Sequence, residues 1–283
     1  ATNVNSVKRF LQQGVQVGDM DAINTSAESY VLWQWAANGT GTLNELGSID
    51  STVSANTDAG FSVVKYTGTG SAATVGHGLS AAPSFIVNKT LGSGSTDPNW
   101  QVYHSEVGAT KAMFFNTNGS PATSSTYWNN TAPSTTAPFV FSIGTDRDSA
   151  TDYINYCWVE VEGYSKFGAF TGNNSSDGPY IYMGFSPSYF MFKRTDGNGD
   201  WYTFDSSRSP SNPATNILAY NQTKTEATMA SDSSNGKIDF LSNGIKFRSG
   251  NGSDFNGSGA TFIYAAWAEH PFGGSGAGQA RAR

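Results

Sequence analysis

Charge is what this sequence has least of. Asp, Glu, Lys and Arg make up 13% of its 283 residues, against roughly a quarter in an ordinary soluble domain. Only 16 residues are Lys or Arg, the formal net charge is −6, and no basic run occurs. The electrostatic footprint that phosphate backbones require is therefore missing, and nucleic acid is excluded as an expected partner. Cysteine is nearly absent too. The single Cys157 cannot make an internal disulfide, and its place in Tyr153-Ile154-Asn155-Tyr156-Cys157-Trp158 reads as a small buried hydrophobe rather than a reactive thiol. No apolar stretch approaches the roughly 20 residues of a membrane-crossing helix, so no membrane partner is expected. The opening Ala1-Thr2-Asn3-Val4 has neither a signal-peptide core nor an initiator Met, and reads as the start of a processed or partial chain. Helical periodicity is almost missing as well.

What fills the chain instead is glycine, 32 residues of it, with Ser, Thr and Asn in nearly every segment. Aromatic residues, 13% of the total, supply enough apolar area for a packed core where aliphatics are few. Runs such as Phe61-Ser62-Val63-Val64-Lys65-Tyr66, Phe85-Ile86-Val87 and Tyr180-Ile181-Tyr182-Met183 are short, β-branched or aromatic, and bounded by turn formers, which predicts strands. Asn118-Gly119 and Asn243-Gly244 suit tight hairpins. The expected fold is all-β, of β-sandwich or jelly-roll-like units.

The chain also repeats itself. Pro83-Ser84-Phe85-Ile86-Val87 returns as Pro187-Ser188-Tyr189-Phe190-Met191, Trp100-Gln101-Val102-Tyr103 as Trp201-Tyr202-Thr203-Phe204, and Tyr153 to Glu160 as Phe262 to Glu269. The spacing is 104 residues from Pro83 to Pro187 and 109 from Trp158 to Trp267, a whole domain rather than a solenoid repeat of about 20–50 residues. Near the start, Phe10-Leu11-Gln12-Gln13-Gly14-Val15 resembles Phe240-Leu241-Ser242-Asn243-Gly244-Ile245, and Tyr30-Val31-Leu32-Trp33-Gln34-Trp35 resembles the strand ending in Trp267. The expected organisation is a half-repeat and linker over residues 1–55, homologous sandwiches over 56–163 and 164–272, and a Gly-rich tail over 273–283. A half-unit leaves strand edges and apolar side chains to be covered by the rest of the chain, another subunit, or further sequence.

Candidate chemistry is sparse. His77, His104 and His270 lie far apart without a nucleophile elbow, and their repeat equivalents are not His where comparison is possible, so no catalytic role is read into them. Asp146, Asp148 and Asp152 share a polar stretch, and Glu160 and Glu269 are repeat equivalents. A glycosidase needs two carboxyls about 5–10 Å apart, which sequence does not establish. Asp196-Gly197-Asn198-Gly199-Asp200 has the alternating oxygen donors of a calcium loop, but Trp201 and Ser207 stand where glycine and glutamate belong. The segment reads as a hairpin turn, with no cofactor expected and calcium the one metal it would admit. Among the aromatics, Trp100, Trp128 and Trp201 lie beside Asn- and Ser-rich loops where rings stack on sugars. Trp100 and Trp201 are repeat equivalents, which points to packing. Trp128 has no counterpart, so Trp128 with Tyr127, Asn129 and Asn130 is the candidate ligand-contact group.

Gly60-Phe61-Ser62-Val63-Val64-Lys65-Tyr66-Thr67-Gly68, Val75-Gly76-His77-Gly78-Leu79, Trp100-Gln101-Val102-Tyr103-His104-Ser105, Gly163-Tyr164-Ser165-Lys166-Phe167-Gly168 and Ala268-Glu269-His270-Pro271-Phe272 together resemble a module of virion structural proteins in marine tailed phages. The likeness covers residues 60 to 283. In that family the module often follows a concanavalin-like lectin domain, which is not present ahead of the repeat pair here. The resemblance implies a non-enzymatic component of a tail fibre, head fibre or other appendage at the virion surface, exposed extracellularly. It also implies partners among other virion proteins and copies of itself, a trimer being the usual fibre stoichiometry, and contact with host surface glycan. It carries no catalytic residue across. Two rival classes stand beside it: a carbohydrate-binding adhesin acting through Trp128, and a polysaccharide depolymerase acting through paired carboxylates.

Overall fold

The computed structural model describes residues 6–11, 14–91, 98–147, 150–226, 236–250 and 252–268. The chain divides into two compact units, Ala1–Trp35 and Ala36–Arg283. In the first, β1 (Val7–Leu11) and β2 (Gly14–Val17) form an antiparallel hairpin with Phe10 opposite Val15 and Leu11 opposite Gly14. A single turn of helix, α1 (Asp21–Asn24), follows.

The second unit holds two sandwiches. The first comprises β3 (Thr42–Asn44), β4 (Ser51–Asn56), β5 (Phe61–Thr67), β6 (Ala73–Gly76), β7 (Phe85–Thr90), β8 (Gln101–His104), β9 (Lys111–Phe114), β10 (Ala122–Thr123), β11 (Val140–Ile143) and β12 (Asp152–Trp158). An eight-stranded sheet in the order β10-β9-β8-β7-β12-β5-β4-β3 faces a two-stranded one, β11-β6. The second comprises β13 (Ser165–Thr171), β14 (Tyr180–Tyr182), β15 (Tyr189–Arg194), β16 (Tyr202–Asp205), β17 (Leu218–Ala219), β18 (Ile238–Leu241), β19 (Gly244–Phe247) and β20 (Thr261–Trp267). Here a five-stranded sheet, β13-β20-β15-β16-β17, faces a three-stranded one, β14-β19-β18. The run β5-β12-β7-β8-β9 in one sandwich is matched strand for strand by β13-β20-β15-β16-β17 in the other, so the sequence repeat is a repeat of topology.

Two expectations are corrected. The cut at residue 55 falls inside β4, which pairs with β5 from Ser51 opposite Tyr66 to Asn56 opposite Phe61. The chain joins the first sandwich from residue 36 onward, where Asn56 Nδ2 donates to Ala36 O at 3.1 Å and Asn38 N to Ser54 Oγ at 3.0 Å. Among the described residues the β3–β4 hairpin has no counterpart beside β13, so no repeat signal reveals it; its turn into β5 closes on Gly60, whose φ of +63° favours glycine. The Tyr30–Trp35 stretch, in turn, forms no strand. Its burial still alternates, with Val31, Trp33 and Trp35 half-buried and Tyr30, Leu32 and Gln34 exposed. Its counterpart β20 is a strand because β13 and β15 flank it. Among the described residues of this unit no strand flanks the stretch in that way, so the ladder has nothing there to form against.

Alternation along the strands sets the layers. In β15, Phe190 and Phe192 point into the second core while Tyr189, Met191 and Lys193 point the other way, and all five are buried. β20 behaves alike, with Phe262, Tyr264 and Ala266 inside and Ile263, Ala265 and Trp267 buried on the opposite face. What covers that second face is the first sandwich. Trp158 meets Trp267 edge-on at 5.8 Å between ring centroids, and Phe85 stacks on Phe167 at 5.9 Å. The large sheets thus pack back to back, and each is covered on its far side by its own small sheet.

Phe192 touches the rings of Phe190, Phe247, Phe255 and Phe262 and is fully buried. Phe192→Ala is expected to cost about 3–5 kcal/mol, read as a lowered urea midpoint at unchanged m-value.

Candidate functional site

The candidate contact group is not brought to the surface as a set. Trp128 is 2% exposed and packs edge-on against Tyr103 at 5.6 Å inside the first core. Its Nε1 meets no acceptor among the described residues. Tyr127 is half-buried, edge-on to Phe114 at 5.4 Å. Asn129 and Asn130 are exposed but occupy a turn with φ of 49° and 50°, a left-handed geometry that Asn tolerates better than most residues. The segment is therefore a plug followed by a tight turn. The first sandwich closes its core with two strands and Trp128, where the second uses a third strand carrying Phe240. The unique tryptophan lies within the core of the first sandwich.

In the loop with calcium-like spacing, side-chain oxygens meet protein donors. Asp196 Oδ1 accepts from Arg194 Nε at 2.7 Å, Asn198 Oδ1 from Ser120 N at 3.2 Å, and Asp200 Oδ1 from Asn221 Nδ2 at 2.6 Å and Gln222 Nε2 at 3.0 Å. The hydrogen bond from Arg194 holds the Asp196 carboxyl below its usual range. Each of the three side chains thus has its Oδ1 on a protein donor, and the loop is the β15–β16 hairpin turn. Among the described residues no cluster of three or more His, Cys, Asp or Glu could hold a metal ion.

A cation does sit beside this turn, and it is a lysine. Lys193 Nζ donates to Gly199 O at 2.6 Å and Asn118 O at 3.1 Å, and lies 5.7 Å from the centroid of the Trp201 ring. Burial lowers its pKa to about 8, with Asp200 and Asp254 pulling it back. Trp201 N donates to Asn221 Oδ1 at 2.9 Å. The first sandwich carries the same arrangement. Lys89 Nζ donates to Pro98 O and lies 5.6 Å from the centroid of the Trp100 ring, while Trp100 N donates to Asn116 Oδ1 at 3.0 Å. The surroundings differ. Trp201 is 1% exposed, covered by Phe115 at 5.0 Å with its Nε1 donating to Phe114 O at 2.9 Å. Trp100 is 37% exposed.

Sequence reasoning missed another pair of exposed rings, Tyr180 and Tyr182 on β14, the latter 63% exposed. They flank buried Ile181, so both point outward from the small sheet. Tyr180 OH donates to Asn243 Oδ1 at 2.7 Å. Gly244, opposite Tyr182 on β19, lets the two strands approach closely, since a Cβ there would meet Ile181 O at 2.0 Å. The available signal was the order Tyr-Ile-Tyr, in which only the middle residue suits a core.

The described titratable candidates are buried or engaged in hydrogen bonds and ion pairs. His77 is fully buried, its Nδ1 accepting from Leu79 N at 3.2 Å. His104 lies in the seam between the sandwiches, its Nδ1 accepting from Glu106 N at 3.2 Å and its Nε2 meeting Tyr264 O at 3.0 Å, the tautomer with Nε2–H. Burial lowers both pKa values to about 4, the Tyr264 carbonyl opposing it for His104. Asp146 accepts from Thr126 Oγ1 at 2.6 Å, Asp152 pairs with Lys65 at 2.7 Å, and Glu160 pairs with Lys166 at 3.2 Å. Cys157 is buried, which pushes its thiol pKa far up, in keeping with an inert core residue. His270, Asp148 and Glu269 lie outside the described residues.

The chain belongs to the family described as Domain of unknown function (DUF7483), whose model matches residues 1–271. No curated protein and no solved structure matches it. The family match runs through the N-terminal hairpin and both sandwiches, so these parts recur together. Among the described residues no helix is long and apolar enough to cross a membrane.

Trp128→Ala is expected to destabilise the protein by about 3–5 kcal/mol, while Asn129→Ala should cost far less; urea titration of both separates a core plug from a surface contact. Acid should weaken the fold through His77 and His104. The unfolded chain takes up their protons near pH 6.5, the folded one only near 4, so stability is full above about 6.5 and declines as pH falls towards 4. Urea midpoints measured across that range check the sign.

Proposed function

We propose that this protein is a non-enzymatic structural subunit of a phage virion, forming or decorating a tail fibre or head fibre at the particle surface, and that it works by assembling with copies of itself and with other virion proteins. The observation that carries this reading is the N-terminal hairpin. From Arg9 to Leu11, β1–β2 has the register of β18–β19, where Phe240 opposes Ile245 and Leu241 opposes Gly244. In the complete sandwich Phe240 is fully buried, whereas its counterpart Phe10 is 78% exposed, with Leu11 and Val7 also exposed. Burying one such ring is worth about 1.5–3 kcal/mol, and contiguous exposed apolar side chains on a hairpin mark an assembly surface. The back-to-back sandwiches support the same reading, since a body without a hinge between its units suits a load-bearing appendage.

Light scattering on the native protein tests it. A mass three times that of the chain, constant on dilution, is expected; a monomer at every concentration would overturn the reading. Immunogold labelling of particles should then place the chain on an appendage.

A carbohydrate-binding role is favoured by one feature, the outward Tyr180 and Tyr182 rings beside Asn243, a combination that suits stacking on a sugar with hydrogen bonds to its hydroxyls. It moves the adhesin reading away from buried Trp128. On a glycan array, Tyr182→Ala should abolish binding that Asn129→Ala retains. A depolymerase draws no support from Asp146, Asp152 and Glu160, each already bonded to a hydroxyl or a cation.

A further inference from the structure

Asn-Gly recurs along this chain, and the fold treats its copies differently. The pair is chemically special, because a glycine nitrogen carries no bulk beside it and can reach the preceding carboxamide carbon and displace ammonia. Three pairs are closed to this attack. Asn256 is fully buried, its Nδ2 donating to Ser249 O at 3.0 Å and Ser175 O at 3.1 Å, and a Cβ at Gly257 would meet Ser253 O at 2.6 Å. Asn243 Oδ1 accepts from Tyr180 OH at 2.7 Å, and Gly244 is held in the β19 ladder. Gly199 N is occupied with Asn118 O, and a Cβ there would meet Arg194 Cβ at 2.9 Å. Asn235 and Asn251 lie outside the described residues.

Two pairs are open, Asn38-Gly39 and Asn118-Gly119. Both asparagines are exposed and outside any strand. Among the described residues neither carboxamide and neither glycine N–H has a hydrogen-bond partner. A Cβ at Gly39 would meet nothing within 4 Å, and one at Gly119 only Thr117 Oγ1 at 3.9 Å. Of the two, Asn118-Gly119 is also activated. Before Gly119 N attacks it loses its proton, and the charge left behind spreads onto the oxygen of the same peptide group, Asn118 O. That oxygen already accepts from the Lys193 ammonium at 3.1 Å and from Gly199 N at 2.9 Å. Donors fixed where negative charge develops make an oxyanion hole. Here they come from the second sandwich and act on the β9–β10 loop of the first. Nothing among the described residues donates to Asn38 O.

We propose that Asn118-Gly119 is a self-modifying site, in which the Lys193 ammonium and Gly199 N–H drive conversion of Asn118 to isoaspartate. Hydroxide takes the Gly119 N–H proton, Gly119 N bonds to Asn118 Cγ, and the carboxamide nitrogen takes a proton from water and leaves as ammonia, giving a cyclic imide. Water then adds to the main-chain carbonyl carbon of Asn118, whose bond to Gly119 N breaks while the new bond from Cγ stays. Water is consumed and ammonia released, with no redox change. The chain now runs through Cγ, and Asn118 O becomes an oxygen of a free carboxylate set against Lys193. A carbonyl–lysine hydrogen bond between the sandwiches thereby becomes an ion pair.

The test is incubation of the full chain, folded and in urea, at neutral pH, below the value of about 8 to which burial lowers the Lys193 pKa. Isoaspartate at each Asn-Gly peptide is followed by mass spectrometry and isoaspartyl-methyltransferase labelling. In the folded chain Asn118 should outpace Asn38 at least about tenfold, a fraction of what an oxyanion-hole donor contributes in an enzyme. In urea the two should react alike. Asn198, Asn243 and Asn256 should react only in urea. Lys193→Met should bring Asn118 down to the Asn38 rate, and silence at the other three shows that the variant is folded. If that variant unfolds, the parent decides alone: Asn118 must react faster folded than in urea, and Asn38 must not. An intact Asn118, or equal rates at Asn118 and Asn38 in the folded parent, overturns the site. An unchanged Asn118 rate in folded Lys193→Met overturns the lysine's part in it.

Discussion

The outer faces of the two large sheets bury one another, and much else depends on that contact. In a free-standing sandwich the central strands would show one face to water and alternate accordingly. β15 and β20 instead carry apolar side chains on both faces, and Trp158, Phe85, Phe167 and Trp267 meet in one aromatic seam. Ring-on-ring packing of this kind adds to plain area burial and constrains orientation. With only a turn between β12 and β13, where Val161 bridges Ser165, neither sandwich can swing without exposing it.

Burial in and around the seam also sets the state of its polar and titratable residues. Lys193 would be costly to bury alone, and its two carbonyl bonds and the Trp201 ring offset the loss of water. His104 is neutral because each ring nitrogen already has a partner suited to the neutral form. In the turn between Lys193 and Trp201, Oδ1 of Asp196, Asn198 and Asp200 each accept from a protein donor. Polar groups with this degree of satisfaction favour one docking angle over its neighbours.

Homology between the sandwiches does not make their surfaces equal. The same lysine, tryptophan and asparagine recur, yet Trp201 is walled in by the neighbouring repeat and Trp100 is not. The same hairpin occurs as β1–β2 and β18–β19, yet Phe240 is core and Phe10 is surface. Similar local sequence thus yields opposite burial according to what lies alongside.

The all-β character, the strands around Phe61, Phe85 and Phe262, and the duplication were legible because period-two patterning, turn residues and self-similarity are local properties of the chain. The β3–β4 hairpin was not, since its residues are polar and unrepeated and its existence is a matter of pairing with β5. The failure of Tyr30–Trp35 to become a strand was not legible either, because its pattern is that of β20 and only flanking strands distinguish the two. Trp128 was singled out by its uniqueness, and whether a unique ring faces a core or a ligand depends on which sheet closes over it. By itself the sequence determined the strand propensities, the repeat and the absence of basic, disulfide and membrane-helix features. Tertiary structure alone decided which of two equivalent tryptophans stays exposed, because burial is a relation between surfaces that are distant in the chain.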